Sequence, residues 1–265
     1  MRLLSAVLCI TTLPVFAEPV GQDWFASMPP ADIVFLGEVH DNPTHHVHQA
    51  KAIREIGPAS LVFEMLTAEK AARIPATLPP EETLAEILEW EASGWPDFAL
   101  YHPLFMAAPK ARIFGAELPR EAARDAMRRE ITESFHGDAA RFGLDMPLPA
   151  EQQAEREALQ ARAHCDALPE YLLPGMVAIQ RLRDAMLAET ALRAFEATGG
   201  PVVVITGTGH ARTDWGAPYL LAKAAPELEI LALGQFETDL GDNPPYDFWI
   251  LTDPHPRADP CAAFR

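Results

Sequence analysis

The stretch Val202-Val203-Val204-Ile205-Thr206-Gly207-Thr208-Gly209-His210 decides how this sequence is read. Four β-branched residues follow Gly199-Gly200-Pro201 and run straight into a glycine-rich turn. A half-exposed strand alternates apolar with polar residues. An unbroken apolar run instead indicates a strand covered on both faces, as in a mostly parallel sheet between helices. Similar runs stand at residues 33–36, 61–63, 113–114, 230–233 and 248–251.

Helical patterns fill the gaps. Within 45–56, Val47, Ala50, Ile53 and Ile56 trace an apolar stripe that Gly57-Pro58 stops, and Asp41-Asn42-Pro43-Thr44 reads as its turn and N-cap. Residues 81–91 place Leu84, Ile87 and Leu88 on one face. No strand is readable between 120 and 198. There Ala123, Met127, Ile131 and Phe135 step by four along one helix, 151–164 is polar and helical, and Met176, Ile179, Leu182 and Met186 mark a longer helix ending near Gly199. The expected fold is α/β, a mostly parallel sheet flanked by helices, with an inserted all-helical subdomain. Residues 18–119 and 199–265 form the core, and 120–198 the insert.

The first seventeen residues point to export. Met1-Arg2 is a basic start, Leu3 to Ile10 is almost wholly apolar, and Val15-Phe16-Ala17 offers small residues for cleavage after Ala17. The run is too short to span a bilayer. Ala6-Val7-Leu8 before Cys9 lacks the small residue of a lipid attachment box. The expected mature chain is periplasmic and keeps 248 of the 265 residues, with a formal charge of −18 once Arg2 is lost from the −17 total. Such a charge repels phosphate backbones and argues against nucleic acid as a partner. Cleavage leaves Cys165 and Cys261. In an oxidising compartment they suit a disulfide, and the alternative is a pair of thiols in a metal or redox role.

The residues just after each strand carry the chemistry. The first strand runs into Gly37-Glu38-Val39-His40, the second into Glu64, the third toward Glu117, and the Val202 strand into His210. Ligand crevices of open parallel sheets lie at the carboxyl ends of the strands, so these groups are expected to converge there. Glycines at 37, 207 and 209 are expected to turn the backbone sharply. Imidazole with carboxylate suits a divalent transition metal or an acid–base pair. His45 and His48 share a helix face able to take up a cation, whereas His46 and His48 also read as a solvated helix start. In the insert, His164, Cys165, Tyr171 and Met176 are side chains able to ligate haem iron, beside the apolar Leu172, Leu173, Pro174 and Ile179.

Gly37-Glu38-Val39-His40-Asp41-Asn42 with Leu61-Val62-Phe63-Glu64-Met65 resembles the opening of the ChaN-type haem-binding proteins. The stretch from Met176 to Ala188, followed by Val204 to His210, resembles that family's second half. The wider superfamily includes erythromycin-esterase-like hydrolases and Tiki-type metalloproteases, whose Gly-x-x-His metal signature is matched by Gly37 to His40. The resemblance implies an α/β core with a helical part and a role in haem binding connected with iron uptake. It carries over His40, Glu64 and His210 as the superfamily's polar site, and implies an outer-membrane haem receptor or other uptake component as a partner. The missing lipid box departs from the lipoprotein habit of many ChaN-type proteins.

Two functions are therefore expected to compete. In the first, the chain binds haem through Tyr171, with His164 and Met176 as lesser candidates, Arg181 or Arg183 on the propionates, and a homodimer burying the porphyrins. In the second, it is a hydrolase in which His40, Glu64 and His210 hold a metal and its water, with Glu38 as general base, or in which these groups act by acid–base chemistry alone. A binding module with purely structural strand tips is the third possibility.

Overall fold

The structure, a computed structural model, describes residues 18–241 and 243–262; the expected signal segment 1–17, with Cys9, lies outside them. Seven strands form one all-parallel sheet: β1 (Glu18–Pro19), β2 (Ile33–Glu38), β3 (Ser60–Phe63), β4 (Arg112–Gly115), β5 (Val202–Gly207), β6 (Ile230–Phe236) and β7 (Phe248–Leu251). Their order is β1-β7-β6-β2-β5-β3-β4. The sheet is thus wholly parallel.

The apolar runs are explained by period-two burial on both faces. Ile33, Phe35, Val62, Val202 and Val204 enter one core, and Val34, Leu36, Leu61, Phe63, Val203 and Ile205 enter the other. Burying each such side chain contributes roughly 1.5–3 kcal/mol, so neither layer is dispensable. On the second face lie α1 (Pro43–Ile56), α2 (Ala68–Ala72), α3 (Glu81–Ile87) and α4 (Phe98–Ala107). On the first lie α5 (Arg120–Ala126), α6 (Ile131–Ser134), α8 (Leu173–Thr198) and α9 (Ala217–Ala224), with α7 (Ala150–Ala163) packed on α8.

Helix α1 begins as read: the Asn42 side chain accepts from the Thr44 amide, Pro43 opens the first turn, and Gly57 closes it in the left-handed conformation. Its buried stripe differs from the expected one. Val47 is 62 % exposed, and the inward face is polar, made of His45, His46, His48 and Gln49 beside Ala50, Ala52 and Ile53. The step of four from Ala123 to Phe135 also breaks. Helix α5 stops at Ala126, α6 starts anew at Ile131, and their apolar residues meet through tertiary packing instead of along one helix.

Helix α8 serves two layers. Leu187, Ala188, Ala191 and Ala194 share the core under β2, β3 and β5, while the same helix also packs on α7. A disulfide joins Cys165, just after α7, to Cys261 in the C-terminal tail, so of the two roles open to these cysteines the bridge is the one formed.

Candidate functional site

Strand order reverses at the centre of the sheet. The chain goes from β2 to β3 and β4 on one side and returns through β5 to β6 on the other. The carboxyl ends of β2, β3 and β5 therefore border a crevice, and Glu38, His40, Glu64 and His210 all meet there.

Glu38, the last residue of β2, is buried. Its Oε1 accepts from the Tyr101 hydroxyl of α4 at 2.8 Å and lies 2.8 Å from His40 Nδ1. Its Oε2 lies 3.5 Å from His46 Nδ1. Glu64 Oε2 accepts from the Thr206 hydroxyl at 2.7 Å and the Gly207 amide at 2.8 Å, and Oε1 faces His210 Nε2 at 3.7 Å. The other ring nitrogen of His210 contacts Asp184 Oδ1 of α8 at 2.6 Å. The His40 side chain is 32 % exposed and stands edge-on to Trp95.

The glycines make room here; they do not turn the chain as expected. Gly37, Gly207 and Gly209 are not among the residues with positive φ. A Cβ on Gly207 would come 2.9 Å from His40 Nε2, and one on Gly37 would sit 3.0 Å from Thr208 and from the Leu233 carbonyl. Only a bare backbone lets the His40 ring lie over the tip of β5.

Charge follows from this geometry. Burial alone would lower the His40 pKa, but the Glu38 hydrogen bond and the nearby carboxylates of Glu64, Glu38 and Asp41 outweigh it and raise it to about 9. Burial would raise Glu64, yet His210, His40, the Thr206 hydroxyl and the Gly207 amide bring it down to about 2. His210 is likewise raised: burial opposes its charge, and Glu64 and Asp184 overcome that opposition. At neutral pH the crevice thus holds a protonated His40 beside an ionised Glu64, with His210 biased toward its charged form. Such a set donates protons or holds an anion; His40 is not a free base.

Among the described residues, no group of three or more His, Cys, Asp or Glu side chains is placed to hold a metal ion. In the expected triad of His40, Glu64 and His210, His40 Nδ1 lies on Glu38, His210 Nδ1 on Asp184, and Glu64 Oε2 takes the Thr206 hydroxyl and the Gly207 amide. Glu38, expected as a general base, is buried and pairs with His40 and Tyr101.

Glu117 lies beyond β4. It lines a small pocket of about 160 Å³ with Glu64, Trp95, Arg120 and Arg183, and burial raises its carboxyl pKa. The histidines of α1 are not a solvated helix start. His46 is 2 % and His48 7 % exposed. His45 Nδ1 accepts from the Val39 amide and its Nε2 meets the Thr252 hydroxyl; His46 Nε2 donates to the His40 carbonyl; His48 Nδ1 faces Gln235 Oε1. These rings brace the β2–α1 turn, so the cation pair of His45 and His48 does not form.

The haem-ligand candidates lie at the end of α7, in the turn before α8 and in α8 itself. Tyr171 belongs to the single turn Glu170–Leu172 before α8, is 80 % exposed, and makes no hydrogen bond to any described residue. A free phenol beside Leu172 and Leu173 fits an oxygen ligand for haem iron. His164 hydrogen-bonds through Nδ1 to the Gln160 carbonyl, leaving Nε2. Met176 is packed against the helical side of the core. Arg181 donates to the Gly143 and Met146 carbonyls and so braces a loop.

Asp184, Tyr101 and Trp95 were not foreseen as site residues. A carboxylate between Leu182 and Ala185 on an otherwise buried helix face was the available signal for Asp184.

Comparison with known proteins agrees with this architecture. A family model described as haem-binding uptake, Tiki superfamily, ChaN matches residues 24–221. Among solved structures, that of cofacial haem binding to ChaN of Campylobacter jejuni is similar, with a TM-score of 0.59 and 21% identity over 84% of this chain and 89% of that one. Weaker likenesses are the type III effector HopBA1 (TM-score 0.43, 14% identity, 84% of this chain and 88% of that one) and a mutant of the erythromycin esterase EreC in its open conformation (TM-score 0.42, 14% identity, 78% of this chain and 70% of that one). Curated proteins returned no match.

Proposed function

This chain belongs to the ChaN haem-binding uptake family of the Tiki superfamily, and from that premise we propose that it binds haem in the periplasm as a step of iron uptake. Tyr171 is the proposed iron ligand. The observation that carries the reading is its exposed side chain, without a hydrogen bond to any described residue, next to Leu172 and Leu173 at the start of α8. Bound haem would supply a ferric centre to be carried or handed on. The chain's part is to present one oxygen and a surface that sheds water from the porphyrin face. His164 is the next candidate; Met176 comes third, since its packing must open first.

An exposed ligand leaves the outer porphyrin face uncovered, and a second copy would bury it. The homodimer and an outer-membrane haem receptor, or another uptake component, belong to this reading as partners. Hemin titration of the full chain tests it. A saturating Soret shift that Tyr171→Phe weakens at least tenfold is expected; equal binding by the variant would dismiss Tyr171, and no shift at all would dismiss haem.

The buried array of Asp184, His210, Glu64, His40 and Glu38 favours a second reading, an acid–base hydrolase. His40 and His210 would donate protons to a leaving group or hold a developing oxyanion, and Asp184 would orient His210. Turnover of p-nitrophenyl esters that falls at least a hundredfold in His210→Ala would support it. Turnover indifferent to His40→Ala and His210→Ala would remove it.

A further inference from the structure

A second pocket, of about 340 Å³, opens on the outer side of His210. Arg156 and Leu159 of α7, Val177 and Gln180 of α8, Trp215, and Tyr246 of the β6–β7 connection are among its walls. Asp184 and His210 also line it, so it adjoins the crevice without containing His40 or Glu64.

Arg156 is the informative residue. It is only 8 % exposed. Its Nε has no hydrogen-bond partner, and its one hydrogen bond is a long 3.4 Å contact to the Trp215 carbonyl. The guanidinium lies over the Trp215 ring at 5.0 Å. The nearby acids are taken: Asp184 is on His210 at 2.6 Å, and Asp214 is held in a fork by Arg212 at 2.9 and 2.6 Å. A buried cation without an anion is costly, and structures retain one where a partner arrives from outside.

The remaining walls define that partner. Leu159, Ala163, Val177, Phe236 and Leu240 are apolar, and one free guanidinium matches one negative charge. Arg212 also lines the pocket, but its guanidinium is spent on Asp214, which leaves Arg156 as the cation open to a ligand. We infer that the pocket binds a small organic monocarboxylate with an apolar body, its carboxylate on Arg156 and its body against Trp215, Phe236 and Leu240. None of the proposed iron ligands, Tyr171, His164 or Met176, is among the pocket's walls.

Calorimetric titration of the full chain with phenylacetate, octanoate and 4-phenylbutyrate, against 4-phenylbutanamide as the uncharged control, tests this. At least one carboxylate is expected to bind saturably, the amide about thirtyfold more weakly than its acid, and Arg156→Met to lose about the same factor. Arg156→Met is also expected to melt no lower than the parent, because an unpaired buried charge has been removed. Leu240→Trp, at the 49 % exposed rim, should weaken binding without touching the charge. Failure of all three acids to bind, equal binding of acid and amide, or unchanged binding in a folded Arg156→Met or Leu240→Trp protein would overturn the assignment. A hemin arm separates the sources of carboxylate. If hemin displaces 4-phenylbutyrate, the resident carboxylate is a porphyrin propionate; if both bind together, it is a separate molecule. Either result keeps the carboxylate on Arg156.

Discussion

Replacing Glu64 with Gln keeps an acceptor for the Thr206 hydroxyl and the Gly207 amide but removes the negative charge that faces His40 and His210. A carboxyl held at about 2 against an ordinary 4.5 corresponds to roughly 3 kcal/mol of preference for the charged form in the folded state. That figure is an upper bound, since His40 and His210 can shed protons once their counter-charge is gone. The same attraction raises the histidines and is counted once. Because the folded pKa is depressed, the stabilisation is present above pH 4.5 and is lost as pH falls toward 2. Urea unfolding of parent and Glu64→Gln is therefore expected to differ by up to about 3 kcal/mol at pH 6, or about 6–12 °C in Tm for a chain of this size. The gap should narrow steadily below pH 4.5 and close only as pH falls through about 2, where the parent's own carboxylate is neutralised. A gap below about 0.5 kcal/mol at pH 6, or one that does not change on acidification, would refute the charge arrangement proposed for the crevice.

The remaining predictions concern the other supports of the site. His40, raised to about 9, contributes stability that is complete below pH 6.5 and disappears as pH rises through about 9; urea melts from pH 6 to 9.5 should show that loss in the parent and its absence in His40→Gln. The Cys165–Cys261 bridge spans a sequence separation of 96, for which loop-closure entropy gives about 4–5 kcal/mol as a ceiling. Cys165→Ser with Cys261→Ser should lower the denaturation midpoint while leaving the crevice intact, and a midpoint unchanged by reductant would contradict the bridge. Tyr101→Phe removes a donor to the buried Glu38 and should cost about 1–3 kcal/mol by the same unfolding assay.

Much of this architecture was legible in one dimension. Residues 33–36, 61–63, 202–205 and 230–233 alternate between two buried faces, and that demand leaves an unbroken apolar signature. Once strands are parallel, the residues just after them share one rim, so Glu38, His40, Glu64 and His210 could be grouped before any contact was known. The parts that misled were local patterns overruled by packing. The α1 stripe pointed Val47 inward, but the layer beneath the β2–α1 turn needed hydrogen-bonding rings, and His45, His46 and His48 occupy it instead.

Strand ends and their neighbours are set by sequence alone, because a period of two and a common direction leave few placements for Glu38 or His210. The tertiary structure alone decided which groups answer them. Asp184 reaches His210, Tyr101 reaches Glu38, and Arg156 faces a pocket without a counter-ion through the rotation and crossing of helices far apart in the chain. A helix's own periodicity says which side is buried but not what lies opposite. The partner of a buried charge is therefore fixed by how the layers pack.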